Sequence, residues 1–511
     1  MFLIKLNKAQ FEYDIHSLVK AFYPEEEVRV LTPESVVKDK RIWEYPARMQ
    51  IVFGEETVEA LSFHDSLAAE EAKKNAGQAA VEGKVRGCGD TYHVRQYTRQ
   101  FTDKEKTNYK NAFKRFFYEI LQKETGISLP WGNLIGIRPT KIAMAMLEDG
   151  KKDEEIAAFL KEEHFVSDEK AALSIEIAGR ETQILQSLHY EEGYSLYIGI
   201  PFCPTTCLYC SFTSFPISVW KDRVSDYLDA LEKEIEYLSK TYRDKILDTV
   251  YIGGGTPTSL SADELDRLLT KLRESFDFST VQEFSVEAGR ADSITQEKLR
   301  VLYRHGVTRI SVNPQTMKQE TLRLIGRQHT VEQVIDVFHM ARAAGFTNIN
   351  MDIILGLPGE TQADVKQTME AIERLSPDSL TVHSLAVKRA SKLTQWIAEN
   401  GISAMQNTDT TMQLAKESAN RMNMQPYYLY RQKNISGNFE NVGYAREGKY
   451  GIYNILIMEE KQTIVALGAG TVTKRVYGDG RIERCDTVKD VEGYLERIDE
   501  MIERKRLLLS D

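Results

Sequence analysis

From Ser195 to about Ser391 the chain repeats one rhythm: a short apolar strand, a glycine-rich or polar turn, then an amphipathic helix. The strands read as "LYIGI", "DTVYIGG", "EFSVEA", "TRISVN", "INMDIILG" and "SLTVHSLA". Segments such as "VSDYLDALEKEIEYLSKTY" and "SADELDRLLTKLRESF" lie between them with helical spacing. Strand–helix alternation of this kind calls for parallel strands joined by right-handed crossovers. The expectation is an α/β core, a partial (β/α)6 barrel. Its active site would lie at the C-terminal ends of the strands.

The flanks read differently. Residues 1 to about 100 are β-rich, and "ARMQIVFGEETVEALSF" predicts two strands around a Gly-Glu turn. From Thr102 to about Leu188 the pattern is helical. One helix is expected to end at Gly126 and another to begin after Pro139. After about Ser391 come a helix in "TTMQLAKESANRMN", then "PYYLYRQKNISGNFENVGY" and "YNILIMEEKQTIVALGAG". The tail "DVEGYLERIDEMIERKRLLL" reads as one amphipathic helix. Three domains are therefore expected: an N-terminal α+β domain (1–190), the core (191–390) and a small C-terminal α+β domain (391–511). The junction "GRETQILQSLHYEEGYSLYIGI" has no proline- or serine-rich spacer, so the N-terminal domain is expected to pack against the barrel. An independent partner-recruiting module is the alternative.

Length and composition agree with this division, since 511 residues exceed one ordinary core. Hydrophobic content of 42% and charged content of 28% are those of a globular protein. Apolar runs such as "NILIM" are too short to span a bilayer. The start "MFLIKLNKAQ" has no basic region followed by an apolar core, so the expectation is a cytoplasmic protein without a signal peptide or membrane span. A net charge of −10 argues against a nucleic-acid partner.

Three of the five cysteines lie in "IGIPFCPTTCLYCSF": Cys203, Cys207 and Cys210, spaced C-x3-C-x2-C directly after the first strand. In a reducing compartment such a trio suits zinc or an iron–sulfur cluster. Structural zinc wants a fourth protein ligand, and no Cys or His lies nearby. Three thiolates on a [4Fe–4S] cube leave one iron open to a small molecule. Other informative residues fall at the same strand ends. "GGGTPT" (Gly253 to Thr258) follows the second strand, and its backbone N–H groups suit a carboxylate. Glu287 closes the third strand, and its carboxylate suits ribose hydroxyls or an amino group. Asn313 and Gln315 close the fourth, Asp352 lies in the fifth before "GLPGE", and Ala386 closes the sixth. "RGCGD" around Cys88 reads as a turn with a chance cysteine.

This combination resembles the radical S-adenosylmethionine (SAM) superfamily. The segments "LYIGIPFCPTTCLYCSF", "GVTRISVNPQTMKQETLRLIGRQHT", "NMDIILGLPGET" and "TVHSLA" resemble the oxygen-independent coproporphyrinogen III oxidase family. The N-terminal unit and "YYLYRQKNISGNFENVGYAREGKYGIYNILIMEEKQT" are similar to its HemZ-like branch. The resemblance implies one [4Fe–4S] cluster on Cys203, Cys207 and Cys210. It implies SAM contacts at Tyr197, Tyr209, Gly254, Gly255, Thr256, Glu287, Gln315, Arg327, Asp352 and Ala386. SAM cleaved by a cluster electron would give a 5′-deoxyadenosyl radical. The implied activity is oxidative decarboxylation of coproporphyrinogen III to protoporphyrinogen IX without oxygen, in haem biosynthesis. Its implied partners are a tetrapyrrole substrate and an electron donor such as flavodoxin or ferredoxin. The alternatives are a haem-binding delivery protein of the same family and another radical reaction on a tetrapyrrole, such as methylation or ring opening. Three positions depart from the relatives. Phe212 stands where the family's oxidases have a fourth, non-ligating cysteine. Gly199 stands where a strand-one histidine is usual, and Tyr453 where the family's haem chaperones have a histidine.

Overall fold

The computed structural model describes residues 1–36, 42, 47–64, 81–83, 92–212, 214–388, 391–401, 405, 407–432 and 438–510. The chain divides into two compact units. One is Met1–Pro139 with Met146–Ile175; the other is Thr140–Ala145 with Glu176–Asp511.

The first unit holds β1 (Phe2–Leu6), β2 (Val28–Leu31), β3 (Met49–Phe53), β4 (Thr57–His64), β5 (Val81–Gly83) and β6 (Tyr92–Gln100) in one sheet of order β2-β1-β3-β4-β6-β5. The expected hairpin is β3–β4, antiparallel from Met49↔Ser62 to Phe53↔Val58. The helix expected to end at Gly126 is two pieces, Asp103–Lys106 and Tyr109–Thr125. The second ends at Gly126, whose φ of 71° suits a residue without a side chain. Phe113, Phe117 and Leu121 from this helix and Ile15, Leu18 and Val19 from Glu12–Phe22 bury against β1, β3 and β4.

The second unit is built on β7 (Gly193–Ile200), the short β8 (Phe202–Cys203) and β9 (Phe215–Pro216), then β10 (Ile246–Gly254), β11 (Glu283–Gly289), β12 (Arg309–Val312), β13 (Ile349–Leu355) and β14 (Ser379–Ser384). The strands read from the βα rhythm, β7 and β10 to β14, lie side by side in chain order, every pair parallel. Their crossover helices begin at well-capped ends. Ser261, Thr330 and Thr361 each accept from the backbone three residues on while that residue's side chain bonds back. The helix Ala262–Ser275 buries Leu265, Leu268, Leu269 and Leu272 on one stripe.

The sheet does not close. C-terminal strands extend it at both edges: β15 (Gln425–Tyr430) and β16 (Asn441–Ala445) beside β14, and β17 (Thr463–Leu467), β18 (Val472–Val476) and β19 (Ile482–Asp486) beside β7. The β17 strand runs parallel to β7, from Thr463↔Tyr194 to Leu467↔Ile198. Just past β17, Thr471 closes on Gly199: a Cβ there would meet Thr471 Cγ2 at 2.5 Å. "NILIM" lies in a helix, Ile452–Glu459. The tail is two helices rather than one, Val491–Glu496 and Ile498–Leu509. It breaks at Arg497, which leaves helical geometry at φ −117°.

Strand alternation gives the core strands one polar face: Ser195, Tyr197 and Gly199 on β7, Thr249 and Tyr251 on β10, Glu283, Ser285 and Glu287 on β11, Thr381 and His383 on β14. At the strand starts this face is filled by the C-terminal region. Ile452 N–H donates to Glu283 Oε2 at 2.7 Å, and Tyr453 N–H to Glu283 Oε1 at 3.4 Å. A helix N-terminus thus meets a buried carboxyl. Among the described residues no helix is long and apolar enough to cross a membrane.

Candidate functional site

Directly after β7 the chain enters the cysteine loop. The loop is pinched at its ends by β8 pairing with β9. Cys203 and Cys207 are buried and Cys210 is half-buried, with Cys210 N–H donating to Cys207 O at 3.2 Å. Cys203 Sγ lies 3.4 Å from Thr256 Oγ1. Burial pushes the Cys203 and Cys210 thiols up, and the neighbouring cysteines add to it. Ionising all three in this buried loop would therefore require a cation beside them. Among the described residues, no three Cys, His, Asp or Glu side chains gather closely enough for a single metal ion. Cys485 is buried on β19, away from the loop. Cys88 lies outside the described residues.

The triple glycine forms the wall of this loop. A Cβ on Gly255 would meet Phe202 O at 2.6 Å and Cys203 Sγ at 3.0 Å, and Gly254 has φ 108°. One expectation needs correcting here. The N–H groups of Gly255 and Thr256 are not free for a carboxylate; they donate to Ile200 O and Phe202 O, both at 2.7 Å. They hold the cysteine loop to β10 instead. Gly254 contributes through its own N–H, which bonds the Glu287 carboxylate.

Glu287 accepts from the Tyr251 hydroxyl. Burial, aided by the charge of Asp352, pushes its carboxyl up to about 7 against those hydrogen bonds. Tyr251 stacks on Tyr453 at 4.4 Å between centroids, and Tyr197 stacks 6.0 Å from each. Asp352 accepts from Asn350 Nδ2 at 2.6 Å and lies 3.8 Å from His383 Nε2. Burial alone would raise the Asp352 carboxyl; the neighbouring His383 and the hydrogen bond from Asn350 more than offset it and hold it below the ordinary value. This is the polar partnership that an acid in an apolar strand requires. Behind it, His383 Nδ1 is 3.3 Å from the Tyr430 hydroxyl.

Gln315 is tied to β13 on both sides: its N–H donates to Asp352 O and its carbonyl accepts from Ile354 N–H, both at 2.9 Å. That bridge forces φ to 67°, a strained value for glutamine. Arg327 is buried and donates to Asn313 O. Burial disfavours its charge, but the Tyr209 hydroxyl and Cys207 thiol beside it more than compensate. Among the described residues, Asn313 Oδ1, Gln315 Oε1 and Arg327 Nε are buried without hydrogen-bond partners. Tyr209 also packs against the apolar group of Leu322, Ile325 and Leu357. Ala386 is buried just past β14.

Residues 197–372 match the Radical SAM superfamily. The oxygen-independent coproporphyrinogen-III oxidase-like protein HemZ of Bacillus subtilis (strain 168) is 40% identical over 463 residues, 89% of this chain and 91% of that protein. The chain belongs to the radical SAM superfamily, in its coproporphyrinogen-III oxidase-like branch. Two further relatives match over shorter spans. The heme chaperone HemW of Bacillus subtilis (strain 168) is 39% identical over 196 residues, 38% of this chain and 51% of that one. The oxygen-independent coproporphyrinogen III oxidase of Salmonella typhimurium is 35% identical over 196 residues, 38% of this chain and 42% of that one. Among solved structures, the radical SAM enzyme coproporphyrinogen III oxidase (HemN) of Escherichia coli superposes with a TM-score of 0.49 at 23% identity. The match covers 63% of this chain and 73% of that one.

Radical SAM proteins bind a [4Fe–4S] cluster and SAM. The residues of this chain fit both. Three thiols share one loop, and a glycine wall leaves no Cβ against Cys203. The partnerless polar atoms of Asn313, Gln315 and Arg327 await a polar ligand. Sequence reading missed Tyr251, His383 and Tyr430 as parts of the site. The alternation along β10 and β14 held the signal for the first two, since Tyr251 and His383 share the inward face with Gly253 and Thr381.

Proposed function

We propose that this chain decarboxylates the propionates of rings A and B of coproporphyrinogen III to vinyls, giving protoporphyrinogen IX without oxygen. The observation that carries the reading is the 40% identity to the coproporphyrinogen-III oxidase-like protein HemZ across 89% of this chain and 91% of that protein. Each vinyl formed releases one hydrogen atom, one CO2 and one electron, and the electron passes to a one-electron acceptor. When bound, the cluster and SAM supply the radical that removes the hydrogen atom from the propionate β-carbon. Cys203, Cys207 and Cys210 would hold the cluster. Arg327, with its fork-shaped guanidinium, suits a carboxylate. Glu287 and Asp352 suit an ammonium or ribose hydroxyls, and Gln315 and Gly254 to Thr256 would complete the SAM site. Tyr197, Tyr209 and Ala386 would supply its apolar walls.

A second reading, haem binding and delivery, is favoured by Phe212. It stands at the position of the oxidases' additional cysteine and is 77% exposed. Anaerobic incubation of reconstituted protein with SAM, a low-potential reductant such as reduced flavodoxin or ferredoxin, and coproporphyrinogen III separates the two. Protoporphyrinogen with methionine supports decarboxylation. Stoichiometric haem binding without product supports delivery, and a methylated or ring-opened tetrapyrrole supports a different radical reaction.

A further inference from the structure

Arg290 follows β11 directly and is 3% exposed. A buried guanidinium needs several acceptors, and four groups supply them. Its Nε and Nη2 meet Asp292 Oδ1 and Oδ2 at 3.0 and 2.6 Å. Its Nη1 donates to Thr205 O at 3.1 Å and Thr205 Oγ1 at 2.7 Å. The same Nη1 points at Cys207 Sγ, 3.8 Å away. Thr205 in turn donates to Gly326 O at 2.9 Å, beside Arg327. Fully buried His329 lies 3.8 Å from Asp292 on the far side. The arrangement is a dipole with its positive end at the ligand sulfur and its negative end turned away.

We propose that Arg290 is a positioning residue that raises the reduction potential of the cluster, and that Asp292 moderates it. A cube held here would become more negative by one charge when an external reductant supplies one electron. An N–H aimed at a ligand sulfur and a nearby positive charge both stabilise the reduced form. The Asp292 carboxylate opposes this from farther off. The two residues therefore act with opposite sign, which a purely structural role does not produce. The inference needs the cluster alone and is independent of the tetrapyrrole.

The test is a redox titration of anaerobically purified protein with dithionite, without SAM or tetrapyrrole, followed by the EPR signal of the reduced cluster. Arg290→Met should lower the ratio of reduced to oxidised cluster at fixed potential about tenfold, a shift of about 59 mV to more negative values for one electron. Asp292→Asn should shift it to more positive values. Midpoints unchanged in both variants, or displaced in the same direction, overturn the proposal. Should Arg290→Met fail to retain iron, Asp292→Asn carries the test by itself: a positive shift supports the proposal, and no shift or a negative one overturns it.

Discussion

Lys505→Met isolates the buried pair that fastens the end of the chain to the core. Lys505 and Glu234 are both completely buried, with Nζ and Oε1 2.5 Å apart. Glu234 Oε2 also accepts from Gly468 N–H at 2.7 Å and the Tyr494 hydroxyl at 2.6 Å. Next to this turn, the Tyr227 hydroxyl accepts from Ala469 N–H and donates to Gly199 O at 2.7 Å, four residues before Cys203. Removing one partner of a buried pair costs about 3–5 kcal/mol. Because Glu234 keeps two hydrogen bonds, the lower end applies, about 3 kcal/mol. With a urea m-value of about 3 kcal/mol/M, the unfolding midpoint should fall by about 1 M. Adding Glu234→Gln removes the stranded charge while keeping an acceptor, so the double variant should recover about half of the loss. Far-UV circular dichroism against urea reads both. A Lys505→Met midpoint at the wild-type value, or a double variant less stable than the single, refutes the reasoning.

Three further outcomes follow from the site. The raised Glu287 carboxyl means that the folded protein holds this proton more tightly than the unfolded chain. Its stabilising contribution is therefore present below pH 4.5 and lost as pH rises to about 7. An ammonium or hydroxyl donor reverses that preference, so SAM affinity should rise through this window by calorimetry and flatten in Glu287→Gln; a pH-independent wild type refutes it. Arg327→Ala should weaken SAM binding by about 1–3 kcal/mol at unchanged iron content. Gly255→Ala pushes a Cβ to 2.6 Å from Phe202 O and should lower iron bound per chain, whereas wild-type iron content would show the wall to be yielding.

How far the sequence reaches is clearest at β7 and its neighbours. The strand "LYIGI" declared itself because an apolar run precedes a cysteine loop and a helix, and all six core strands follow that logic. Its neighbour β17, "TIVAL", did not. It is a continuous apolar run of five, equally suited to a helix segment, and its pairing joins residues more than 260 apart in sequence. The helix at Tyr453 was hidden for the same reason: only the fold places its ring on Tyr251. That Cys203, Cys207 and Cys210 share one loop was legible from their spacing alone. Arg290 was not, because its role is the crossing from the end of β11 to Cys207, 83 residues earlier in the chain.

The central claim is that Cys203, Cys207 and Cys210 hold one cluster with an iron left open for SAM. Iron and acid-labile sulfide in anaerobically purified protein, together with EPR of the reduced cluster before and after SAM, test it most directly. The account predicts about four iron and four sulfide per chain, a signal altered by SAM, and loss of the cluster in Cys207→Ala but not in Cys485→Ala. A cluster retained by Cys207→Ala, or a signal indifferent to SAM, would contradict it.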